Sequence, residues 1–321
     1  MHSFNSLVHQ FENHFDKRHF PQKPETLYDA AQYILKIGGK RARPVSVLMA
    51  CELFSEINID AYHVATAIEL FHNFSLIHDD IMDKAPLRRG METVHKKYGD
   101  STALLAGDVM LVAAYEEINK INPSKLHDVL TLFSKTAKEV CEGQQMDMDF
   151  ESRKNVDLNE YIEMITLKTS VLLAASLKMG AIIGGAGIGN QQHLYEFGKH
   201  LGIAFQIQDD YLDAFGDPQK FGKQVGGDIL SNKKTFLLIH ALSVANDDQK
   251  MELERLLISN DEDKVEKVLQ VYNTCHVEEW ANSLKQKYAD LAIQHLQDTA
   301  VSESRKIEMK NLVQLLLERN V

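Results

Sequence analysis

The sequence predicts an all-α protein built as a bundle of ten or more helices. Three observations support this prediction. Apolar residues recur at helical spacing along nearly the whole chain, whereas strand-like alternation is nearly absent. The content of 6 Pro and 17 Gly in 321 residues is low for a β-sandwich or another loop-rich fold. No Ser-, Gly- or Pro-rich linker and no internal repeat divides the chain, so we assign residues 1–321 to a single domain.

Groups of apolar residues at helical spacing alternate along the chain with Gly- or Pro-containing segments that are expected to end helices. Most of the apolar residues in these sets lie three or four positions apart, which is the spacing of one helical face. The sets are Leu48, Cys51, Leu53 and Phe54; Ala65, Ile68, Leu70 and Phe71; Leu104, Val109 and Ala113; and Leu253, Leu256 and Leu257. Breaks are expected at Gly38-Gly39, Ala85-Pro86, Asn122-Pro123, Gly184 to Gly189, Asp217-Pro218 and Asn260-Asp261.

The most apolar stretch runs from Val171 to Gly189 and is interrupted by Ser176 and Lys178. A membrane span needs about 20 mostly apolar residues, so we expect a buried core helix that ends at the glycine run and no membrane segment. The N-terminal residues 1–20 mix polar and charged residues with apolar ones, which is not the pattern of a signal peptide.

Charge and cysteine content limit the classes of function. The chain has 35 Lys and Arg against 46 Asp and Glu, a formal net charge of −11, which argues against nucleic-acid binding. The three cysteines, Cys51, Cys141 and Cys275, are widely spaced. This pattern excludes a disulfide scaffold and a thiolate metal cluster, and it favours a reduced, cytoplasmic protein.

Two Asp-Asp-x-x-Asp motifs stand on apolar helical segments. The first contains Asp79, Asp80 and Asp83, and the second contains Asp209, Asp210 and Asp213. Residues four apart share a helical face, where like charges destabilise a helix by about 0.2–0.5 kcal/mol per pair. Prolines soon after each motif place both motifs near helix C-termini, where the helix dipole also disfavours anions.

A hard divalent cation relieves this repulsion, because carboxylate oxygens are ligands that Mg²⁺ prefers. A single motif of this kind could be a solvated acidic face. Both copies, however, follow residues expected in the core, Phe74 and Ile77 before the first and Phe205 and Ile207 before the second. The repeated pattern therefore favours a magnesium site.

Basic residues occur beside both acidic motifs and upstream of the first. The segment Lys40-Arg41-Ala42-Arg43-Pro44 follows Gly38-Gly39, which predicts a new helix with Pro44 at its first position. Cations beside the free N–H groups of a helix N-terminus make an anion site. Arg88-Arg89 follows the first motif, and Lys223 and Lys233 follow the second. Each of these cations, taken alone, could also be an ordinary surface side chain.

Together these motifs resemble the trans-isoprenyl diphosphate synthases of the polyprenyl synthetase family, from Gly38 to about Thr235. The resemblance implies the isoprenoid synthase fold, a helical bundle around a deep central cavity, and a homodimer. It implies head-to-tail condensation of isopentenyl diphosphate with an allylic diphosphate (dimethylallyl, geranyl or farnesyl). The steps would be Mg²⁺-assisted ionisation, C–C bond formation and proton loss, giving diphosphate and an all-trans C15–C20 prenyl diphosphate.

The resemblance also implies roles for individual residues. Isopentenyl diphosphate would be bound by Lys40, Arg43, His72 and Arg89. The allylic diphosphate would be bound by Arg88, Lys168, Lys223 and Lys233. Thr169 and Gln206 would face the developing allylic cation beside Lys168. About three Mg²⁺ ions would bridge the diphosphate to Asp79, Asp83 and Asp209, with Asp80, Asp210, Asp213 and Asp228 behind them. Gln144 and Asp147 would line the cavity.

Product length is expected to depend on the helix that precedes the first motif. Phe74 and Phe71 lie five and eight residues before Asp79 and should project to a common side. Position 75 is Ser rather than a second aromatic residue. By the resemblance, Phe71, Phe74 and Ser75 would form a floor that stops the chain at fifteen or twenty carbons.

Two other functions fit part of the pattern. A class I terpene cyclase would share an Asp-rich magnesium site, but it needs no counterpart of Lys40, Arg43 and Arg89. A non-catalytic helical subunit of a synthase heteromer would not need two intact Asp motifs. The preferred allylic starter, the exact product length and the oligomeric state stay open, and the C-terminal tail lacks the basic residues that would assign it a role.

Overall fold

The computed structural model describes residues 1–216, 226–259 and 261–317. Across those residues the chain is helical almost throughout, and the only strands are one pair, each two residues long. The prediction of an all-α fold is therefore confirmed.

The elements follow one another in a helical order that a single hairpin interrupts. They are α1 (Phe4–Phe15), α2 (Glu25–Lys36), α3 (Ala42–Glu52), α4 (Ile59–Met82), β1 (Leu87–Arg88), β2 (Met91–Glu92), α5 (Val94–Tyr98), α6 (Asp100–Ile118), α7 (Pro123–Ser152), α8 (Leu158–Ile165), a π-helical turn (Thr166–Ser170), α9 (Val171–Ile183), α10 (Ile188–Phe215), α11 (Gly227–Leu230), α12 (Phe236–Val244), α13 (Asp247–Ile258), α14 (Lys264–Thr274), α15 (Val277–Asp298) and α16 (Glu303–Leu317).

The chain forms two compact units. Unit 1 comprises Met1–Lys135, Ala175–Tyr195 and Asp298–Met309. Unit 2 comprises Thr136–Ala174, Glu196–Gln297 and Lys310–Val321. The assignment of residues 1–321 to a single domain stays a prediction.

Unit 1 packs its helices closely around α4. Val47, Ile68 and Met110, which lie on α3, α4 and α6, are fully buried. The helix α9 approaches α3 through a glycine, because a Cβ at Gly180 would lie 2.2 Å from the carbonyl oxygen of Val47. Such an approach requires a residue without a side chain.

Unit 2 has a core of aromatic and aliphatic residues. Tyr161, Ile207, Phe236 and Leu253, from α8, α10, α12 and α13, are all buried within one cluster. The same core supports α10, the helix that ends just after the second Asp motif.

Most of the expected helix ends agree with the structure. The helix α4 ends at Met82 and α10 ends at Phe215, so both Asp motifs lie at helix C-termini as predicted. The breaks at Pro123 and at the glycine run after Ile183 are also confirmed. Of the remaining breaks, Asp217-Pro218 and Asn260 lie outside the described residues.

The predicted position of Pro44 was wrong. Arg41 caps α3 in the left-handed conformation (φ 53°), and Ala42 begins the helix, so Pro44 occupies the third position rather than the first. The fold tolerates this because the first turn of a helix makes no intrahelical N–H bonds, and proline has no N–H to lose there.

One segment, Leu158–Ile183, is long and apolar enough to cross a membrane. In its most apolar window 72% of the residues are buried within the protein. This burial agrees with the core helix expected from Val171 onwards.

Candidate active site

A hairpin directly after α4 positions two consecutive arginines. β1 pairs antiparallel with β2, and the loop consists of Arg89 and Gly90. Both loop residues have positive φ, 52° and 78°, as a type I′ turn requires. The turn brings Arg88 back to the end of α4 and directs Arg89 towards the start of α3.

Arg88 holds the middle carboxylate of the first Asp motif. Its Nε donates to Asp80 Oδ2 at 2.8 Å and its Nη2 to Asp80 Oδ1 at 2.7 Å, a bidentate pair. Burial alone would lower the pKa of Arg88, but the carboxylates of Asp80, Asp79 and Asp83 raise it. Asp80 is only 2% exposed, whereas Asp79 is half-buried and Asp83 is exposed. The motif therefore presents Asp79 and Asp83 and keeps Asp80 inward.

A second group of cations gathers around His72 in unit 1. Arg43 Nη1 donates to His72 Nε2 at 3.2 Å, so this ring nitrogen is the acceptor and the proton is on Nδ1. Burial, together with the charges of Arg43 and Arg89, lowers the pKa of His72 well below its ordinary value. His72 is therefore neutral at pH 7.

Arg89 reaches this group across a glycine. A Cβ at Gly39 would lie 2.7 Å from Arg89 Nη1, so the guanidinium rests on the backbone of the α2–α3 loop. The next residue, Lys40, is exposed. Burial, with the neighbouring Arg88 charge, lowers the pKa of Arg89. Arg43, His72 and Arg89 are thus brought to one place, as a site for a multiply charged anion requires, and Lys40 directly follows the glycine on which Arg89 rests.

Arg41 does not belong to this anion site, although the sequence suggests three cations at the start of α3. Its guanidinium is buried and forms an ion pair with the buried carboxylate of Glu69. Asn73 Nδ2 also donates to Glu69 Oε1 at 3.1 Å. Arg41 is also the left-handed cap residue of α3, two residues before Arg43.

The expected floor residues form an aromatic cluster beneath the first motif. The ring centroids of Phe71 and Phe74 are 5.5 Å apart, and Phe71 also contacts Phe133 at 5.4 Å. On its other side, Phe74 packs edge-on against His78 with centroids 4.7 Å apart. Ser75 Oγ donates to the His72 carbonyl at 2.8 Å within the helix. The predicted common direction of Phe71 and Phe74 is confirmed.

In unit 2 a π-helical turn carries Lys168 and Thr169. Such turns are rare and occur often at functional sites. Glycines allow two helices to approach it, because a Cβ at Gly143 would lie 2.2 Å from Lys168 N, and a Cβ at Gly202 would lie 2.7 Å from Ser170 Cα. Lys168 Nζ forms an ion pair with Asp147 on α7.

A hydrogen-bonded chain links this turn to the second Asp motif. Thr169 Oγ1 donates to Gln206 Oε1 at 3.2 Å, and Gln206 Nε2 donates to Asp210 Oδ1 at 2.8 Å. The hydroxyl of Tyr161 donates to Asp210 Oδ2. Burial raises the pKa of Asp210 to about 7. Both oxygens of Asp210 are thereby engaged, and the amide of Gln206 has a fixed orientation.

The outer members of the second motif have different surroundings. Asp209 and Asp213 are half-buried, unlike the buried Asp210. Asp213 Oδ2 accepts a hydrogen bond from the backbone N–H of Asp228 at 2.9 Å, which fixes the start of α11. Lys233 is exposed, and its charge acts on Asp210 by lowering the pKa of that carboxyl. The predicted Lys223 lies outside the described residues.

Comparison with known proteins identifies the family of this chain. Residues 24–275 match the polyprenyl synthetase family. The chain belongs to this family. It is 38% identical over 297 residues to a short chain isoprenyl diphosphate synthase of Methanothermobacter thermautotrophicus, covering 92% of this chain and 91% of that protein. It is 37% identical over 326 residues to a geranylgeranyl diphosphate synthase of Saccharolobus solfataricus, covering 98% and 97%. A crystal structure of a geranylgeranyl pyrophosphate synthase superimposes with a TM-score of 0.95, at 41% identity and full coverage of both chains.

This polyprenyl synthetase is therefore a prenyltransferase with the isoprenoid synthase fold, as the resemblance implied. It condenses isopentenyl diphosphate with an allylic diphosphate, and its family uses a divalent metal ion. The donor set of the two Asp motifs suits such an ion. Asp79 and Asp83 project to one helical face, as do Asp209 and Asp213, and each pair supplies the hard oxygen ligands that Mg²⁺ prefers.

Tyr161 and Glu69 are the positioning residues that sequence reasoning missed. Tyr161 precedes Lys168 by seven residues, two helical turns, and that spacing was the only signal that it belongs beside the π-helical turn. Glu69 precedes Asp79 by ten residues on a buried face, where an acidic residue needs a partner. The sequence pattern instead groups its partner, Arg41, with the cations of the anion site.

Proposed function

We propose that this chain is a short-chain synthase whose product is a C15–C20 prenyl diphosphate, with the C20 geranylgeranyl diphosphate as the main product. The observation that carries the proposal is the gathering of Arg43, His72 and Arg89, with Lys40 next to them in the α2–α3 loop, beside an Asp-rich motif that presents Asp79 and Asp83. The cation group would recognise the diphosphate of the prenyl acceptor, and the Asp-rich motif would recognise the metal-bound diphosphate of the prenyl donor.

The cation group is proposed to bind isopentenyl diphosphate. Three of its members are cationic, and His72 is kept neutral by burial and by its neighbours. Neutral His72 donates through Nδ1, while Arg43 and Arg89 offer planar donor pairs that match phosphate oxygens. Bringing several cations together costs free energy, and the bound anion offsets that cost.

Asp79, Asp83 and Asp209 are proposed to bind about three Mg²⁺ ions together with the allylic diphosphate. When bound, these ions supply Lewis-acid stabilisation of the charge that builds on the leaving diphosphate. Asp80 is held by Arg88, and Asp210 by Gln206 and Tyr161, so we assign these two carboxylates to orienting the motifs. Asp213 is assigned to the same task through the start of α11. Arg88, Lys168, Lys223 and Lys233 are the proposed cationic contacts of the allylic diphosphate.

Thr169 and Gln206 are proposed to face the allylic cation. The hydroxyl proton of Thr169 points to Gln206, so the oxygen lone pairs of Thr169 are turned away from that bond. These lone pairs and the dipole of the amide stabilise positive charge without supplying a nucleophile. The double bond of isopentenyl diphosphate then attacks, and the departing diphosphate accepts the proton that is lost.

Phe74 is proposed to set the product length. It is wedged between Phe71 below and His78 above, which leaves the aromatic ring few alternative positions. Phe71 is 1% exposed and belongs to the core, whereas Phe74 is 8% exposed and lies one turn nearer to the motif. A growing chain would therefore meet Phe74 first.

The synthase is proposed to be a cytoplasmic homodimer. Three large apolar side chains on α6, Leu104, Leu105 and Val112, are 50%, 53% and 58% exposed. Burying such a face against a second copy is favourable by about 25 cal/mol per Å² of apolar surface. Light scattering of the purified protein should give twice the mass of one chain, and Leu105→Glu should shift it towards the monomer.

The function is tested by isopentenyl diphosphate incorporation at varied Mg²⁺ concentration. We expect saturable incorporation into an allylic diphosphate, and Asp83→Asn should reduce it by at least about 100-fold, because a metal ligand loses its charge. Asp248→Asn, an exposed carboxylate change on α13, is the matched control and should leave the rate unchanged. A cyclase would release hydrocarbon without consuming isopentenyl diphosphate, and a non-catalytic subunit would consume neither substrate; either result would overturn the proposal.

A further inference from the structure

Three side chains of unit 2 form a cluster of a different chemical type from the Asp motifs. Glu196 and His200 lie four residues apart on α10, and His295 lies on α15. One potential ligand atom from each residue lies within 4.8 Å of the other two. All three residues are half-buried.

The ring of His200 lies beside two other rings. Its plane is 9° from parallel to that of His295, with centroids 5.4 Å apart, and the ring centroid of Tyr288 is 6.2 Å away. Its Nδ1 donates to the backbone carbonyl of Glu196 at 2.8 Å. A ring N–H held by a carbonyl leaves the lone pair on Nε2, and this arrangement is usual for histidines that bind metal ions.

The carboxylate of Glu196 adds the negative charge that such a site needs. It also forms an ion pair with Lys199 on the same helix. A carboxylate has about four lone-pair positions on its two oxygens, so it can accept from Lys199 and still bind a metal ion. Two imidazoles and one carboxylate are a ligand set typical of Zn²⁺ sites with an open fourth position.

We propose that Glu196, His200 and His295 bind a transition-metal ion of the Zn²⁺ class. Nitrogen ligands favour such an ion over Mg²⁺, which prefers the all-oxygen Asp motifs. The bound ion would link α10 to α15 in unit 2. Because α10 also carries Asp209–Asp213, the ion would stabilise the helix that presents the second motif. This inference does not depend on the proposed product or substrates.

The test uses full-length protein without an affinity tag, stripped of metal by a chelator. Co²⁺ is titrated in the presence of excess Mg²⁺, which occupies the carboxylate sites. We expect one equivalent of Co²⁺ to give the intense visible absorption of a four-coordinate nitrogen-ligated ion, and Zn²⁺ to abolish it by displacement. The weak spectrum of six-coordinate Co²⁺ alone would refute the proposal.

Variants then assign the site. His295→Ala and His200→Ala should each weaken Co²⁺ binding at least about tenfold, because each removes one of three ligands. His276→Ala removes an exposed histidine that also lies next to a glutamate, and it should bind Co²⁺ as the wild type does. Glu196→Gln keeps the shape of the side chain but removes the charge of the carboxylate ligand. It replaces the histidine variants in this test if one of them fails to fold, and it should likewise weaken Co²⁺ binding. Wild-type affinity in His295→Ala or in Glu196→Gln would overturn the proposal.

Discussion

Tyr161→Phe removes a single hydroxyl from the chain of hydrogen bonds that runs from Thr169 to Asp210. Tyr161 is 1% exposed, and its ring packs in the core of unit 2, so the phenyl group should remain in place. The substitution leaves Asp210 Oδ2 without its donor in a buried position. Asp210 can then rotate, and Gln206 loses the fixed acceptor for its amide.

The expected size of the effect follows from the kind of bond that is lost. Leaving a buried acceptor without its donor costs about 1–3 kcal/mol. This free energy holds Gln206 and Asp210 in the reactive arrangement, so kcat/KM should fall about 5- to 150-fold, at about 1.36 kcal/mol per factor of ten. The KM for isopentenyl diphosphate should change little, because the cation group around His72 is untouched.

The assay is steady-state condensation, with thermal unfolding measured in parallel. Tyr272→Phe is the matched control, because Tyr272 is another buried tyrosine of the same core, and it should keep wild-type kcat/KM. In the double variant with Gln206→Ala, the two losses should be far from additive, since both act through one chain of contacts. Additive losses, or wild-type kcat/KM in a folded Tyr161→Phe protein, would refute this reasoning.

Three further predictions concern product length, pH and packing. Phe74→Ala should shift the products to longer prenyl diphosphates on mass analysis. An unchanged distribution of product lengths would show that Phe74 does not set the length. The pKa of His72 is lowered from 6.5 by burial and by Arg43, so below about pH 6.5 the unfolded chain binds a proton that the folded chain does not. The free energy of unfolding should therefore decrease as the pH is lowered below about 6.5, by up to about 1.4 kcal/mol per pH unit, and it should decrease less in His72→Asn; equal slopes would contradict this. Gly143→Ala should destabilise by about 1–3 kcal/mol in denaturant titration, because its Cβ would meet the Lys168 backbone; unchanged stability would refute the close approach.

Local patterns in the sequence carried most of the information about the site. The spacing within Asp79–Asp83 and Asp209–Asp213 places carboxylates on shared helical faces, and the following prolines place both motifs at helix ends. Helical periodicity is a local property, so the all-α fold and these positions could be predicted without tertiary information.

The hydrogen-bond partners that divide each motif into inward and outward carboxylates could not be predicted. Asp80 turns to Arg88 because the type I′ turn at Arg89-Gly90 folds the chain back, and Asp210 turns to Tyr161, 49 residues earlier in the chain. The conformation of Arg41 likewise depends on Glu69, a contact between two helices. Such pairings depend on tertiary packing, which spacing along a single helix does not encode.

The most direct test of the central claim is the mass of the product formed from farnesyl diphosphate and isotope-labelled isopentenyl diphosphate in the presence of Mg²⁺. The account predicts a C20 prenyl diphosphate that contains one labelled unit, with one diphosphate released for each unit added. Farnesol or a cyclic hydrocarbon without label, formed while isopentenyl diphosphate remains unconsumed, would contradict it.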